Sequence, residues 1–303
     1  MIHRWARSRY VIRVVVHKLD ALRTIHQIRY KSTCVRMEVA QRFRINLGLL
    51  IKKKKWRLFM IRFIVVVSFV VLFLIFSIPL LIIEWIIGKF NMDLKNRSSL
   101  AIVNWAFGVC LFFAGTKITY IGEENVPKDK AVLYIGNHRS FFDILTTYVR
   151  VPRPTGYIAK TEMLRIPLLS NWMKNLHCLF LDRHDLKKGL KTILEAVEKV
   201  KSGISICIFP EGTRNREPDT FLPFKDGSFK IAEKSGCPII PMTINNSGAV
   251  FEDQFPRIKK RHVIVEYGKP IYMNELEKED RKAIGTYVQN IIKETYFKNK
   301  ELI

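Results

Sequence analysis

The chain has 303 residues, of which 48% are hydrophobic, enough for one large domain with an appendage and a well-filled core. Fifty-one Lys and Arg against 27 Asp and Glu leave a net charge of +24, an excess that calls for an anionic partner, either nucleic acid or anionic lipid. The five cysteines, Cys34, Cys110, Cys178, Cys207 and Cys237, are widely spaced and contain no Cys-x-x-Cys, which argues against a disulfide frame and a zinc site and for a reducing compartment.

Residues 1–57 hold 16 Lys or Arg and two acids, Asp20 and Glu38. They read as a basic N-terminal arm, either disordered or held on an anionic membrane surface, with Lys52 to Lys55, Trp56 and Arg57 placed as a juxtamembrane patch. The arm is not a cleaved signal peptide in form, because the apolar core that follows begins too late and is too long. Phe63 to Ile83 is uncharged; at 1.5 Å per residue it makes about 31 Å of helix, which matches a bilayer core of about 30 Å. A membrane helix is expected there, kinked rather than abolished by Pro79. A second apolar run, Leu100 to Gly115, predicts a helix that spans with tilt, re-enters or lies in the interface. Residues 58–115 are thus expected to form a membrane-embedded helical hairpin closed by the charged connector Glu84 to Arg97.

From Thr116 onward apolar patterns alternate in type. Strands are predicted near 116–121, 131–136, 155–159, 177–181, 204–209, 238–244 and 262–267. One helix is predicted from Asp185 to Lys201, with Leu186, Leu190, Ile193, Leu194, Val197 and Val200 on one stripe. Another is predicted from an Asn274 N-cap, with Glu277 at its third position, to about Phe297. Such alternation implies an α/β domain over 116–303 with a mixed, mostly parallel sheet flanked by helices.

Two loops in that domain carry chemistry. Gly136 and Asn137 end a strand, and Ser140 with Asp143 three residues on is a helix start. Helical side chains lean toward the N-terminus, so the Asp143 carboxylate can reach back to His138 and leave its other ring nitrogen free as a general base. On spacing alone a second reading stands equally: Asp143 only favours the positive end of its helix, and His138 is an ordinary loop residue. The second loop, Phe209-Pro210-Glu211-Gly212-Thr213-Arg214, also leaves a strand end, and in open α/β folds such loops gather at one ligand-binding rim. Arg214 offers a planar fork of donors for a phosphate, Gly212 allows close backbone approach, and Glu211 is placed to position Arg214 or to contact a hydroxyl. Taken alone, the tetrapeptide Glu211 to Arg214 reads as a surface turn. His184 is the one rival among the remaining histidines. No Gly-x-Ser-x-Gly or His-Glu-x-x-His occurs, which leaves no sign of a serine lipase or a zinc hydrolase.

Together the two loops resemble the glycerolipid acyltransferase family, specifically the 1-acylglycerol-3-phosphate acyltransferases, over roughly residues 116 to 245. The first motif, Asn-His-x4-Asp, is matched by Asn137, His138 and Asp143, and the third by Phe209 to Arg214 residue for residue. A second motif runs from Lys160 through Ile166-Pro167 to Asp182-Arg183, and a fourth is matched by Pro238 to Pro241. Where many relatives have Gly, this chain has Ser170 and His177, which bears on the shape of the acyl or acceptor pocket.

The resemblance implies transfer of a fatty acyl group from acyl-coenzyme A or acyl-acyl carrier protein to the sn-2 hydroxyl of 1-acylglycerol 3-phosphate, giving phosphatidic acid. It implies His138 and Asp143 as catalytic residues, and Glu211, Gly212, Thr213, Arg214 and Lys160 around the acceptor, with Arg214 and Lys160 on its phosphate. No metal or other cofactor is implied. A sibling activity on glycerol 3-phosphate or another lysolipid remains open because of Ser170 and His177. A membrane-tethered nucleic-acid binder fits less well, since no binding module is recognisable; an idle membrane scaffold would consume no thioester. The basic arm favours a cytoplasmic N-terminus, so the two apolar runs must return the chain if His138 is to meet an intracellular thioester.

Overall fold

The computed structural model describes residues 59–303; the expectations for the basic arm over 1–57 lie outside the described residues. Helix α1 (Phe59–Phe76) is followed by α2 (Ile78–Phe90) across Ser77. Helical hydrogen bonding continues through that point, with Ser77 N–H donating to Phe73 O at 2.8 Å and Leu81 N–H to Ser77 O at 2.9 Å. Pro79 accounts for the interruption, because it has no N–H to give to the preceding turn. The run expected to end at Ile83 thus continues in helical form to Phe90.

Helix α3 (Met92–Ala114) turns back after Asn91, whose side chain accepts the Leu94 N–H at 2.9 Å, and packs along α2. The expected charged connector from Glu84 to Arg97 is therefore corrected: it is helical on both sides of the single residue Asn91. Glu84 needs no loop because it folds inward, 2% exposed, and accepts hydroxyl hydrogen bonds from Ser98 and Ser99 at 3.0 Å each, as a buried acid must. Both α1 and α3 are long and apolar enough to cross a membrane, with mean hydropathy 2.9 and 1.4.

Seven strands follow: β1 (Lys117–Ile121), β2 (Leu133–Gly136), β3 (Thr155–Lys160), β4 (Leu179–Leu181), β5 (Ser205–Ile208), β6 (Ile239–Asn245) and β7 (His262–Tyr267). They make one sheet in the order β1-β7-β6-β2-β5-β3-β4, in which β6 with β7 is antiparallel and the other pairings are parallel. The mixed, mostly parallel sheet matches the expectation.

Because alternate strand residues face opposite ways, the sheet carries two cores. On one face Tyr134, Tyr157, Cys207 and Met242 meet Val103, Leu111 and Ala114 of α3, Phe142 of α4 (Phe141–Tyr148) and Trp172 of α5 (Leu169–Asn175). On the other, Leu133, Ile135 and Ile206 lie under α6 (Leu186–Lys201), α7 (Lys230–Ser235) and α9 (Ile284–Lys300). The hairpin is thus one layer of the same core as the sheet, each fully buried aliphatic contributing about 1.5–3 kcal/mol.

Two helices depart from the prediction. Helix α6 starts where expected, and Asp185 caps it by accepting the Lys187 and Lys188 N–H groups at 3.0 Å. The buried stripe, however, is Ile193, Ala196, Val197 and Val200, while Leu186 is 90% exposed. The neighbouring β4 is only three residues long and offers the start of α6 little surface to cover it. At the C-terminus the cap is Glu277 rather than Asn274: Arg281 donates to the carbonyls of Asn274 and Leu276 and holds them in a turn. The helix there is divided at Ala283 into α8 (Lys278–Lys282) and α9.

His177, expected at the start of a strand, instead precedes β4 with φ +59°, a left-handed conformation that glycine adopts without penalty. Opposite it, a Cβ on Gly156 would lie 2.2 Å from the His177 carbonyl oxygen. Gly156→Ala should therefore force β3 and the β4 entry apart and destabilise the protein by about 1–3 kcal/mol or more, measured as thermal unfolding in detergent.

Candidate active site

The loop after β2 and the loop after β5 leave adjacent parallel strands at their carboxyl ends, so both lie on one rim, as predicted. At its start Asn137, 2% exposed, bonds the backbone of β6 twice, accepting from Ile244 N–H at 2.8 Å and donating to Ile244 O at 2.9 Å. It extends the β2–β6 ladder by one side chain and fixes where the chain leaves the sheet.

Asp143 is fully buried in the first turn of α4, and its Oδ2 accepts from His138 Nδ1 at 2.8 Å and from the backbone N–H groups of Arg139 and Ser140, both at 2.7 Å. Ser140 completes a capping box by accepting the Phe142 N–H at 2.9 Å. Asp143 therefore does not only serve its helix: the same oxygen that caps α4 also holds the His138 imidazole. Since a carboxylate only accepts, Nδ1 carries the proton and Nε2 presents its lone pair. The His138 ring stacks on Phe209, with centroids 4.3 Å apart and planes 11° from parallel. Its side chain is 16% exposed, held at Nδ1 by Asp143 and on one face by Phe209.

Glu211 departs from expectation. It neither positions Arg214 nor faces the open rim; it is 5% exposed, and its two oxygens accept the His138 N–H at 2.8 Å and the Leu222 N–H at 3.1 Å. A carboxylate is needed there because two converging N–H groups in a buried place require an acceptor at each oxygen. Burial pushes its carboxyl above the usual range, while the two N–H bonds pull it back. Gly212 sits at φ +74° and donates its N–H to Phe209 O at 3.0 Å, a turn that a side chain would strain. Thr213 is exposed. The Arg214 guanidinium carbon lies over the Phe141 ring, 3.8 Å from its centroid, and Arg214 pairs with Glu252 at 3.1 Å.

Lys160 ends β3, beside β5, and is exposed on the same rim. His184, the rival histidine, is exposed, and among the described residues no carboxylate holds its ring. The residues that sequence reasoning missed are Glu252, which meets both Arg214 and the start of α4, and Asn215, whose N–H donates to His138 O at 2.7 Å. Asn215 directly follows the motif and was findable; Glu252 had no local signal. Among the described residues no group of His, Cys, Asp and Glu is arranged to hold a metal.

A family model described as Acyltransferase matches residues 117–245. The 1-acyl-sn-glycerol-3-phosphate acyltransferase of Haemophilus influenzae is 30% identical over 203 residues, which cover 65% of this chain and 82% of that protein. The chain belongs to this acyltransferase family. A 1-acyl-sn-glycerol-3-phosphate acyltransferase of Borreliella burgdorferi is 36% identical over 155 residues, 51% of this chain and 62% of that relative. In fold, the acyltransferase is similar to the crystal structure of the 1-acyl-sn-glycerophosphate acyltransferase of Thermotoga maritima, with TM-score 0.69 and 22% identity, over 80% of this chain and 96% of that one.

Glu211 supplies a test of positioning against substrate contact. Glu211→Gln sets an amide NH₂ against one of the two N–H donors; it should lower kcat about tenfold or more while leaving KM for the lipid acceptor within about twofold, and it should cost about 1–3 kcal/mol of stability. Because the folded pKa of Glu211 is raised, the stability its titration contributes is present below the unfolded value and lost as pH rises through the folded one. The gap in thermal stability between wild type and Glu211→Gln should therefore narrow as pH is raised through that range.

Proposed function

We propose that this acyltransferase moves a fatty acyl group from a thioester donor, acyl-acyl carrier protein or acyl-coenzyme A, to the sn-2 hydroxyl of 1-acylglycerol 3-phosphate, giving phosphatidic acid. The observation that carries this reading is the His138–Asp143 pair on the rim it shares with Arg214. The proteins from Haemophilus influenzae and Borreliella burgdorferi, named for the same acceptor, support it.

In this mechanism His138 Nε2 takes the proton of the acceptor hydroxyl as that oxygen attacks the thioester carbonyl carbon. Asp143 keeps the imidazole in the required tautomer and steadies the imidazolium. The tetrahedral centre then collapses, the carbon–sulfur bond breaks, and the proton on Nε2 passes to the leaving thiolate. No acyl-enzyme forms. The Arg214 guanidinium binds the acceptor's phosphate with its planar fork, Lys160 adds a second positive charge from the end of β3, and Gly212 and Thr213 form the floor of the acceptor site. The helical hairpin holds this rim at a membrane surface, on the cytoplasmic side, where an amphipathic acceptor enters without leaving the lipid. The basic arm over 1–57 adds affinity for anionic lipid.

His138→Ala should remove about 10² to 10⁴-fold of kcat with thermal stability and membrane association kept; normal turnover by the purified variant would overturn the mechanism. Arg214→Lys should lower kcat/KM for 1-acylglycerol 3-phosphate about tenfold or more through the acceptor's KM, leaving the donor's KM unmoved. Products identified by mass, with several lysolipids offered, check both.

A further inference from the structure

Arg214 is not free to meet an anion in this structure. After β6 the chain makes a short helical turn, Glu252–Gln254, and the Glu252 carboxylate lies against the start of α4. It accepts from Arg214 Nη1 at 3.1 Å, from the Phe141 N–H at 2.7 Å and from the Ser140 hydroxyl. A guanidinium, a backbone N–H in the first turn of a helix and a hydroxyl converge on one small anion. This is the donor set that binds phosphate oxygens, here filled by a carboxylate of the chain itself. The pair is not sealed: the side chains of Arg214 and Glu252 are 32% and 20% exposed.

Neighbouring contacts show how the carboxylate is delivered. Asp253 pairs with Arg139 at 3.2 Å, and Phe251 stacks on Phe63 of α1 with centroids 5.7 Å apart. The segment bearing Glu252 is therefore docked on the first apolar helix and on the loop that carries His138.

We propose that Glu252 is a placeholder for the acceptor's phosphate, an internal competitor that occupies Arg214, the Phe141 N–H and the Ser140 hydroxyl until a phosphate monoester displaces it. This rests on the reading of Arg214 as the phosphate residue. A phosphate monoester carries about −1.5 to −2 charge and three acceptor oxygens, more than the single charge and two oxygens of a carboxylate, so it outcompetes Glu252. A headgroup without phosphate has nothing to exchange. The placeholder thus keeps an otherwise open cation satisfied and reserves the site for phosphate monoesters by a competing contact as well as an attractive one.

Glu252→Gln tests this, because the amide oxygen still accepts the Phe141 N–H while the ion pair with Arg214 is lost. Apparent affinity is reduced by the fraction of sites held closed, so the variant should bind glycerol 3-phosphate about three- to tenfold more tightly by titration calorimetry in detergent. Its KM for 1-acylglycerol 3-phosphate should fall by a similar factor, while KM for an uncharged monoacylglycerol stays unchanged. Glu252→Ala should move both in the same direction. If KM for the phosphate acceptor rises or stays level and glycerol 3-phosphate binding does not tighten, Glu252 orients Arg214 instead, and the placeholder is overturned. Failure of the underlying reading is seen separately: Arg214→Lys would then leave the acceptor's KM unmoved, whatever Glu252→Gln does.

Discussion

One oxygen of the buried Asp143 accepts three donors, His138 Nδ1 and the backbone N–H groups of Arg139 and Ser140, and the geometry of the rim depends on that convergence. Helix α4 can begin only where its first N–H groups find acceptors, and the acceptor chosen also faces the imidazole. Helix start, backbone turn and ring orientation are therefore one event. An imidazole whose ring orientation is set by a carboxylate that is itself anchored by backbone is held in one place, which is the preorganisation a site on this rim needs.

Around that centre the neighbouring loops are tied to the sheet and to each other. Asn137 binds β6, and Glu211, from the loop after β5, takes the His138 N–H and the Leu222 N–H. Phe209 lies under the imidazole. The face of α4 away from the rim packs on α3, so the apolar hairpin and the helix that carries Asp143 belong to one core. For an acyltransferase with a lipid substrate, this shared packing places the rim and the apolar helices in one body.

Charge is handled in the same economical way. The chain has 51 Lys and Arg, yet two arginines of the rim loops, Arg139 and Arg214, are met by acids from the segment after β6. Pairing of half-exposed charges contributes little to stability; its consequence lies in what the cations are available to bind. The exposed start of α6, with Leu186 uncovered, and exposed Lys160 make the rim next to β3 and β4 both apolar and basic.

Local signals were sufficient for much of this. The alternation of apolar runs read as seven strands within a few residues of their observed ends, because strands buried in a parallel sheet are short continuous apolar runs between turn residues. Ser140 with Asp143 announced a helix start, and the cap geometry that this demands is the geometry that reaches His138. Those features depend on residues within one turn of each other. What only the tertiary structure decided depends on residues far apart in sequence. The partners of Glu211 include the Leu222 N–H, the acid for Arg214 is Glu252, 38 positions on, and neither spacing has a period that a sequence displays. The hairpin connector escapes a local reading for a related reason: Glu84 and Arg97 look like loop charges until Ser98 and Ser99 are brought opposite Glu84, when a buried acid with two hydroxyl donors fits inside a helix pair. Composition and local pattern determined which segments fold and where the chemistry sits, because both follow from short-range sterics and burial. Which charge faces which was decided by packing, because a side chain's partner is set by the sheet order that brings distant loops to one rim.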